Sequence, residues 1–371
     1  MREVNLSKRM YFQYMTTEST SPEAALTRED IRAWPKAELH SHLDGAVRLE
    51  TMLDLAQKQG KMDLLPAKTI DGLTTELAKV DDSKDLWDYL AWFKYTIGIM
   101  QSEEALSRVA FEMAEDFAAE NVRYVEVRFG PVLHTQEGLS MEAVLEAVLD
   151  GLVQARDAYG IQFSVIVCAL RDRFVDASVD QANLAVKYMD QGVRGFDLAG
   201  GEAGNPAKEH LQAFYIARNN LLNLTVHAGE SWGPESIHQA LFFCGAHRIG
   251  HGITLVKDPA LMRYVVDRQI PLEVCPTSNV QTHVVSSYEG HPIRQLAEAG
   301  VPITINTDSR LFSHTTTTGE MYLAHTRCGL TESQLRKAAV NAFRHSFLPH
   351  AEREALLHEA QDLLLGRNAG S

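Results

Sequence analysis

Eight short apolar segments, each separated from the next by a stretch too long for a hairpin, constrain this chain more than any other feature. They run Lys36–His42, Val122–Phe129, Ile161–Leu170, Val193–Gly200, Asn223–Ala228, His247–Gly252, Ile270–Pro276 and Val301–Asp308. Beyond the first interval the gaps are 17 to 31 residues. Such gaps suit crossover helices between parallel strands and exclude tight antiparallel connections. Met141–Ala158 carries helical periodicity, and Thr331 is placed to cap a helix that reaches Arg344. Eight β-α units predict an α/β fold of the (β/α)8 barrel type rather than an open sheet. The interval from Leu43 to Asn121 is longer than one crossover and predicts extra helices inserted after the first strand.

Several segments alternate with period 2, so each has an apolar and a polar side. Val125, Val127 and Phe129 share one parity, and Tyr124, Glu126 and Arg128 the other; Glu38, His40 and His42 share a face, as do Thr304, Asn306 and Asp308. In a barrel the apolar side meets the helices and the polar side points inward. Glu126 and Arg128 are then expected as a charge pair inside the barrel, with Glu273 and Cys275 as structural residues.

Composition narrows the function classes. The 371 residues carry 35 Lys+Arg against 49 Asp+Glu, a formal net charge of −14. That balance argues against nucleic-acid binding and against an anionic membrane surface. No apolar run is long enough for a bilayer span. Cys168, Cys244, Cys275 and Cys328 fit neither a Cys-x-x-Cys zinc pattern nor a disulfide framework. Their isolation suits a reducing, cytoplasmic setting. Residues 1–28 are polar and read as a leader without the features of a signal peptide; residues 29–371 read as a single domain.

Chemistry concentrates at strand ends. His40 and His42 lie at i and i+2, so both imidazoles can face one ion. Alone, such a pair arises easily by chance among 15 histidines. His227, His251 and Asp308 lie at or near the ends of three further segments, and barrel strands build their active site at their carboxyl ends. Three imidazoles and a carboxylate suit zinc, with other divalent metals open. Glu230 follows in His227-Ala228-Gly229-Glu230 and reads either as a proton donor beside the metal or as an acid at the next helix's start. The aromatic stretch Leu86–Phe93 reads as a helix packed on the barrel, as a lid over a ligand, or as both on different faces.

The chain resembles the adenosine deaminase family of zinc aminohydrolases from about Trp34 to about Leu348. The resemblance rests on Pro35-Lys36-Ala37-Glu38-Leu39-His40-Ser41-His42-Leu43-Asp44-Gly45, Asp197-Leu198-Ala199-Gly200, His227-Ala228-Gly229-Glu230, Arg248-Ile249-Gly250-His251-Gly252, Cys275-Pro276-Thr277-Ser278-Asn279 and Asn306-Thr307-Asp308. It implies hydrolytic deamination of a purine nucleoside with Zn2+ as cofactor. It implies that His40, His42, His227 and Asp308 hold the zinc, that Glu230 works at purine N1, and that His251 orients the attacking water. It further implies that Gly200 offers its backbone to the base, that Asp44 bonds a sugar hydroxyl, and that Leu86, Tyr89, Leu90 and Phe93 form the lid.

Two positions depart from the family pattern. Ser309 stands where many members carry a second Asp that contacts purine N7, and Gly200-Gly201-Glu202 replaces Gly-Asp-Glu. A serine hydroxyl can still donate a hydrogen bond. Three functions compete: deamination of adenosine and 2′-deoxyadenosine; deamination of another 6-aminopurine such as adenine, a nucleotide or an aminodeoxyfutalosine; and nucleoside binding without turnover. Asp44 favours the first. Adenine deaminases similar to this family tend to carry Glu there, and methyl-AMP deaminases Asn. The absence of a His-x-Glu and Pro-Cys-x-x-Cys signature excludes the base-editing type of deaminase.

Overall fold

The helices between the strands decide the architecture, and the strands that alternate turn their apolar parity outward against those helices and their polar parity inward. In the computed structural model, which describes residues 25–172 and 175–366, eight parallel strands lie in sequence order. They are β1 (Lys36–His42), β2 (Val122–Phe129), β3 (Gln162–Leu170), β4 (Val193–Ala199), β5 (Asn223–Ala228), β6 (Arg248–His251), β7 (Leu272–Val274) and β8 (Ile303–Ile305). The ring closes through a parallel bridge between Ser41 and Asp308. There the Asp308 N–H donates to the His40 carbonyl at 2.9 Å, and the His42 N–H to the Asp308 carbonyl at 2.7 Å. The chain is a (β/α)8 barrel.

Strands β7 and β8 are shorter than expected from sequence. Pro276 cannot extend a ladder, and it opens the helix Pro276–Gln281 at its first position. The Cys275–Asn279 motif is therefore mostly helical. The capped helix is Glu332–Arg344, with Thr331 and Gln334 forming a reciprocal capping box. The long first interval holds helices Leu49–Lys58, Ile70–Leu77, Leu86–Leu90, Lys94–Ile99 and Glu103–Ala118. All but the last few residues of the 1–28 leader fall outside the described residues; Thr27 caps the first described helix, Arg28–Ala33.

The barrel interior is a charge lattice. Register pairs Glu126 with Ser164, Cys168 with Asp197, Thr225 with Arg248, and Glu273 with Thr304. Glu126, Arg128, Asp197 and Glu273 are wholly buried, and Arg248 nearly so. The expected Glu126–Arg128 pair does not form. Glu126 pairs with Arg248, while Arg128 bonds Asp197 at 3.1 Å and Glu273 at 2.7 Å. Residues two apart on one strand point the same way and stand side by side, so each finds its counter-ion across the barrel rather than along its own strand. Phe347 stacks on Arg248 at 3.4 Å and donates its N–H to Glu126 at 2.6 Å, which ties the segment after the last barrel helix to the floor.

Removing one member of a buried ion pair strands the other. Glu126→Gln is expected to lower unfolding free energy by about 3–5 kcal/mol, measured by denaturant titration. A loss under ~1 kcal/mol would mean that Glu273, which also accepts from Arg248 at 2.6 Å, and the His345 carbonyl, at 2.7 Å, satisfy Arg248 without Glu126.

Candidate active site

Two carboxylates of that lattice aim two imidazoles. Glu273 accepts from His40 Nδ1 at 2.9 Å, and Asp197 from His227 Nδ1 at 3.0 Å. A proton committed on Nδ1 leaves the Nε2 lone pair of each ring facing the mouth, the usual preparation of a metal-ligating histidine. Gly250 makes room for this. A Cβ there would lie 3.1 Å from His40 Cε1 and 3.2 Å from His227 Cα.

The donors converge. His42 Nε2 lies 3.1 Å from His227 Nε2, and Asp308 Oδ1 lies 3.4 Å from His42 Nε2 and 3.6 Å from His40 Nε2. A tetrahedral ion with bonds of about 2.0–2.1 Å sets its ligands roughly 3.3 Å apart. His40 Nε2 is buried without a hydrogen-bond partner among the described residues, as expected of an atom kept for a cation. Burial, aided by neighbouring positive charge, holds the His40 and His42 imidazoles well below their ordinary pKa, so their lone pairs are free. His40, His42, His227 and Asp308 thus fit a metal ion. Cys275 also lies within reach of His40, His251 and Asp308. Burial first, then the Asp308 and Glu38 charges, push its thiol up, which keeps it protonated and a poor ligand.

His251 reaches the mouth by breaking the strand rule. Gly250 faces the interior, so strict alternation would send His251 outward. The residue instead takes φ 61° at the strand end. Its Nε2 lies 3.6 Å from Glu230 Oε1 and 4.0 Å from Asp308 Oδ2. Asp308 has φ 59°. Left-handed backbone at two such positions costs about 1–3 kcal/mol each, a strain characteristic of functional sites.

Glu230 is not a helix N-terminal acid; the next helix, Pro234–Gln239, begins beyond it. The backbone around it is pinned by Glu202, a residue that sequence reasoning noted only as part of a motif. The Glu202 carboxylate accepts from the N–H groups of Gly229 at 2.6 Å, Glu230 at 3.0 Å and Trp232 at 2.8 Å, and also from Ser231. Burial, then the charges of Asp308 and Glu202, raise the Glu230 carboxyl well above the usual range.

One cavity brings these groups to the seven residues expected to meet substrate. Asp44, Gly200, Ser309, Leu86, Tyr89, Leu90 and Phe93 line it together with His42, His227, Glu230, His251 and Asp308. Asp172, which sequence reasoning passed over, lines it too. Burial, with the Asp308 charge adding to it, pushes the Asp44 carboxyl up to about 7. The helix Leu86–Leu90 docks through Trp87, whose ring atom Cη2 lies 2.2 Å from where a Cβ on Gly201 would be. The Gly201 departure is thus matched to Trp87, a pairing invisible until both segments are placed.

The family profile described as adenosine deaminase matches residues 35–363. The chain belongs to the adenosine deaminase family. A relative named adenosine deaminase from Mycobacterium sp. (strain JLS) is 43% identical over 90% of this chain and 96% of its own. Among solved structures, an adenine deaminase from Arthrobacter aurescens superposes with TM-score 0.83 at 26% identity, covering 90% of this chain and all of its own. An Arabidopsis N6-mAMP deaminase follows with TM-score 0.80 at 28% identity, covering 90% and 99%. An amidohydrolase from Burkholderia ambifaria with bound Zn gives TM-score 0.76 at 25% identity, covering 94% and 97%. As a member of this family the protein is a hydrolytic deaminase of adenosine-like purines. Among the described residues no helix is long and apolar enough to cross a membrane.

The tight approach at Gly250 yields a test. Gly250→Ala must push the His40 ring aside and is expected to weaken divalent-metal binding by about 10- to 100-fold. Competition with a chelator measures it. Unchanged affinity would mean that the His40 ring moves freely.

Proposed function

We propose that the protein is a zinc-dependent deaminase that converts adenosine and 2′-deoxyadenosine to inosine and 2′-deoxyinosine with release of ammonia. The observation that carries this reading is the facing of Glu230, His251 and Asp308 within one cavity that also holds Asp44. Hydrolysis adds water at purine C6, and N1 must gain a proton as the oxygen adds. Glu230 is suited to give it, because burial keeps its carboxyl protonated. Asp308 holds one proton lost by the water and returns it to the departing amine, and as the carbonyl forms at C6 the remaining hydroxyl proton goes back to Glu230. His251 orients the oxygen. His40, His42, His227 and Asp308 would hold Zn2+, which would supply acidity by lowering the pKa of a water toward neutrality. Leu86, Tyr89, Leu90 and Phe93 close over the base and exclude bulk solvent, which maintains the low dielectric that Glu230 requires.

Asp44 supports nucleosides over nucleotides. A carboxyl with pKa about 7 bonds a sugar hydroxyl as either donor or acceptor. In its ionised form it opposes a phosphate at about 4 Å by roughly 4 kcal/mol per charge, for an effective dielectric of about 20. Asp172 adds a second acid to the same cavity. Gly200 offers backbone to the purine and Ser309 a hydroxyl to N7 in this reading. The expected setting is cytoplasmic.

A panel of adenosine, 2′-deoxyadenosine, adenine, AMP and aminodeoxyfutalosine, followed by ultraviolet absorbance, tests the substrate. Adenosine and 2′-deoxyadenosine are expected to exceed AMP in kcat/KM by about a thousandfold. Preference for adenine or AMP would replace this reading by that of the structural neighbours. Metal analysis of the same preparation is expected to give one zinc per chain, and under about a tenth of an equivalent of any divalent metal with full activity would remove the metal role. Glu230→Gln, nearly isosteric, is expected to lower kcat by at least ~100-fold with metal content retained; near-normal turnover would put the proton donor elsewhere.

A further inference from the structure

Behind His251, on the side away from the cavity, lie two side chains, Asn279 and His291, that the reaction as described does not use. His251 Nδ1 lies 3.1 Å from Asn279 Nδ2, and Asn279 Oδ1 lies 3.1 Å from His291 Nε2. His291 Nδ1 in turn receives the N–H of Ile293 at 3.1 Å. Asn279 and His251 are wholly buried and His291 nearly so. The three come from different places: the end of β6, the helix Pro276–Gln281, and the turn before the helix Ile293–Glu298.

The last link fixes all the others. A backbone N–H can only donate, so His291 Nδ1 is an acceptor. Burial alone pushes the His291 imidazole down to about 4, which leaves it neutral with its single proton on Nε2. That proton must go to an acceptor, and Asn279 Oδ1 is the atom there. The reversed amide would set an NH2 against an N–H, donor against donor. Asn279 therefore presents its NH2 to His251. An amide NH2 can only donate, so His251 Nδ1 is an acceptor and carries no proton.

We propose that Asn279 and His291 are positioning residues that lock His251 as the Nε2–H tautomer, so that His251 acts toward the reacting oxygen only as a hydrogen-bond donor and not as a base. Its Nε2 is buried, aimed between Glu230 and Asp308, and has no hydrogen-bond partner among the described residues. That N–H is the one polar group of His251 left to meet an oxygen placed there. Taking up a second proton would require it at Nδ1, against the amide N–H groups of Asn279. Of the two groups beside the reacting oxygen, Asp308 is left as the proton acceptor. The anchor of this arrangement is a backbone amide, which no change of pH near neutrality alters. The inference deepens the proposed function and rests on its placement of His251 at the reaction centre, but the proton's position is measurable without any substrate.

The test is the ring-nitrogen spectrum of the purified, metal-containing enzyme labelled with 15N-histidine. A His251→Gln variant identifies the His251 signals. Long-range proton–nitrogen correlations are expected to show His251 protonated at Nε2 and bare at Nδ1. Protonation at Nδ1 in the wild type overturns the proposal, whatever purine the enzyme acts on. Asn279→Asp replaces the donor by an acceptor of the same size, which forces the proton to Nδ1. The tautomer is then expected to invert and kcat to fall by at least ~100-fold, with KM changing less than about twofold. His291→Phe frees the amide to rotate; a mixture of tautomers and a fall in kcat of about 10- to 100-fold are expected. An unchanged tautomer in Asn279→Asp overturns the proposal, as does inversion with full turnover. Should either variant fail to fold, the wild-type spectrum alone decides. Failure to deaminate adenosine, with the Nε2–H tautomer present, would count against the substrate reading and leave the lock intact.

Discussion

Arg128 is the charge on which the rest of the site depends. Its guanidinium is wholly buried and bridges Asp197 and Glu273, the two carboxylates that hold His227 and His40. A buried cation needs close counter-ions, and two buried carboxylates need a cation. The same three groups therefore satisfy the interior of the barrel and set which nitrogen of each imidazole faces the mouth. Weakening this floor would therefore loosen the two imidazoles above it.

A second carboxylate does similar work on the other side of the cavity. Glu202 gathers four successive backbone N–H groups from Gly229 to Trp232 and so fixes the turn that carries Glu230. The adjoining Gly201 admits the Trp87 ring and with it the helix that carries Leu86, Tyr89 and Leu90. The loop after β4 thus fixes the turn of Glu230 with one residue and receives the helix Leu86–Leu90 with its neighbour. The Glu202 carboxylate is thereby surrounded by backbone donors that converge on it as on a bound anion.

The relatives share the barrel and differ in what they deaminate. Structures superposing with TM-scores of 0.83 and 0.80 are those of an adenine deaminase and an N6-mAMP deaminase. In this chain Asp44, Asp172 and Ser309 line the cavity, and under the proposed function they are the residues that would choose among 6-aminopurines.

The amino-acid sequence by itself determined the eight strands, their inward and outward faces, and the strand ends at which His40, His42, His227, His251 and Asp308 occur. Period-2 alternation and turn residues are local, so they are legible in a single segment. The capping of Glu332–Arg344 by Thr331 was legible for the same reason. Pairing is not local. Arg128 and Glu273 lie 145 residues apart, and Glu126 and Arg248 lie 122 apart. Nothing within β2 distinguishes a pair formed along the strand from two pairs formed across the barrel. The left-handed turn that brings His251 inward, the four amides collected by Glu202, and the chain from Ile293 through His291 and Asn279 were likewise decided by tertiary structure. Each depends on distant backbone arriving at hydrogen-bonding distance, and closure of the barrel is what brings it there.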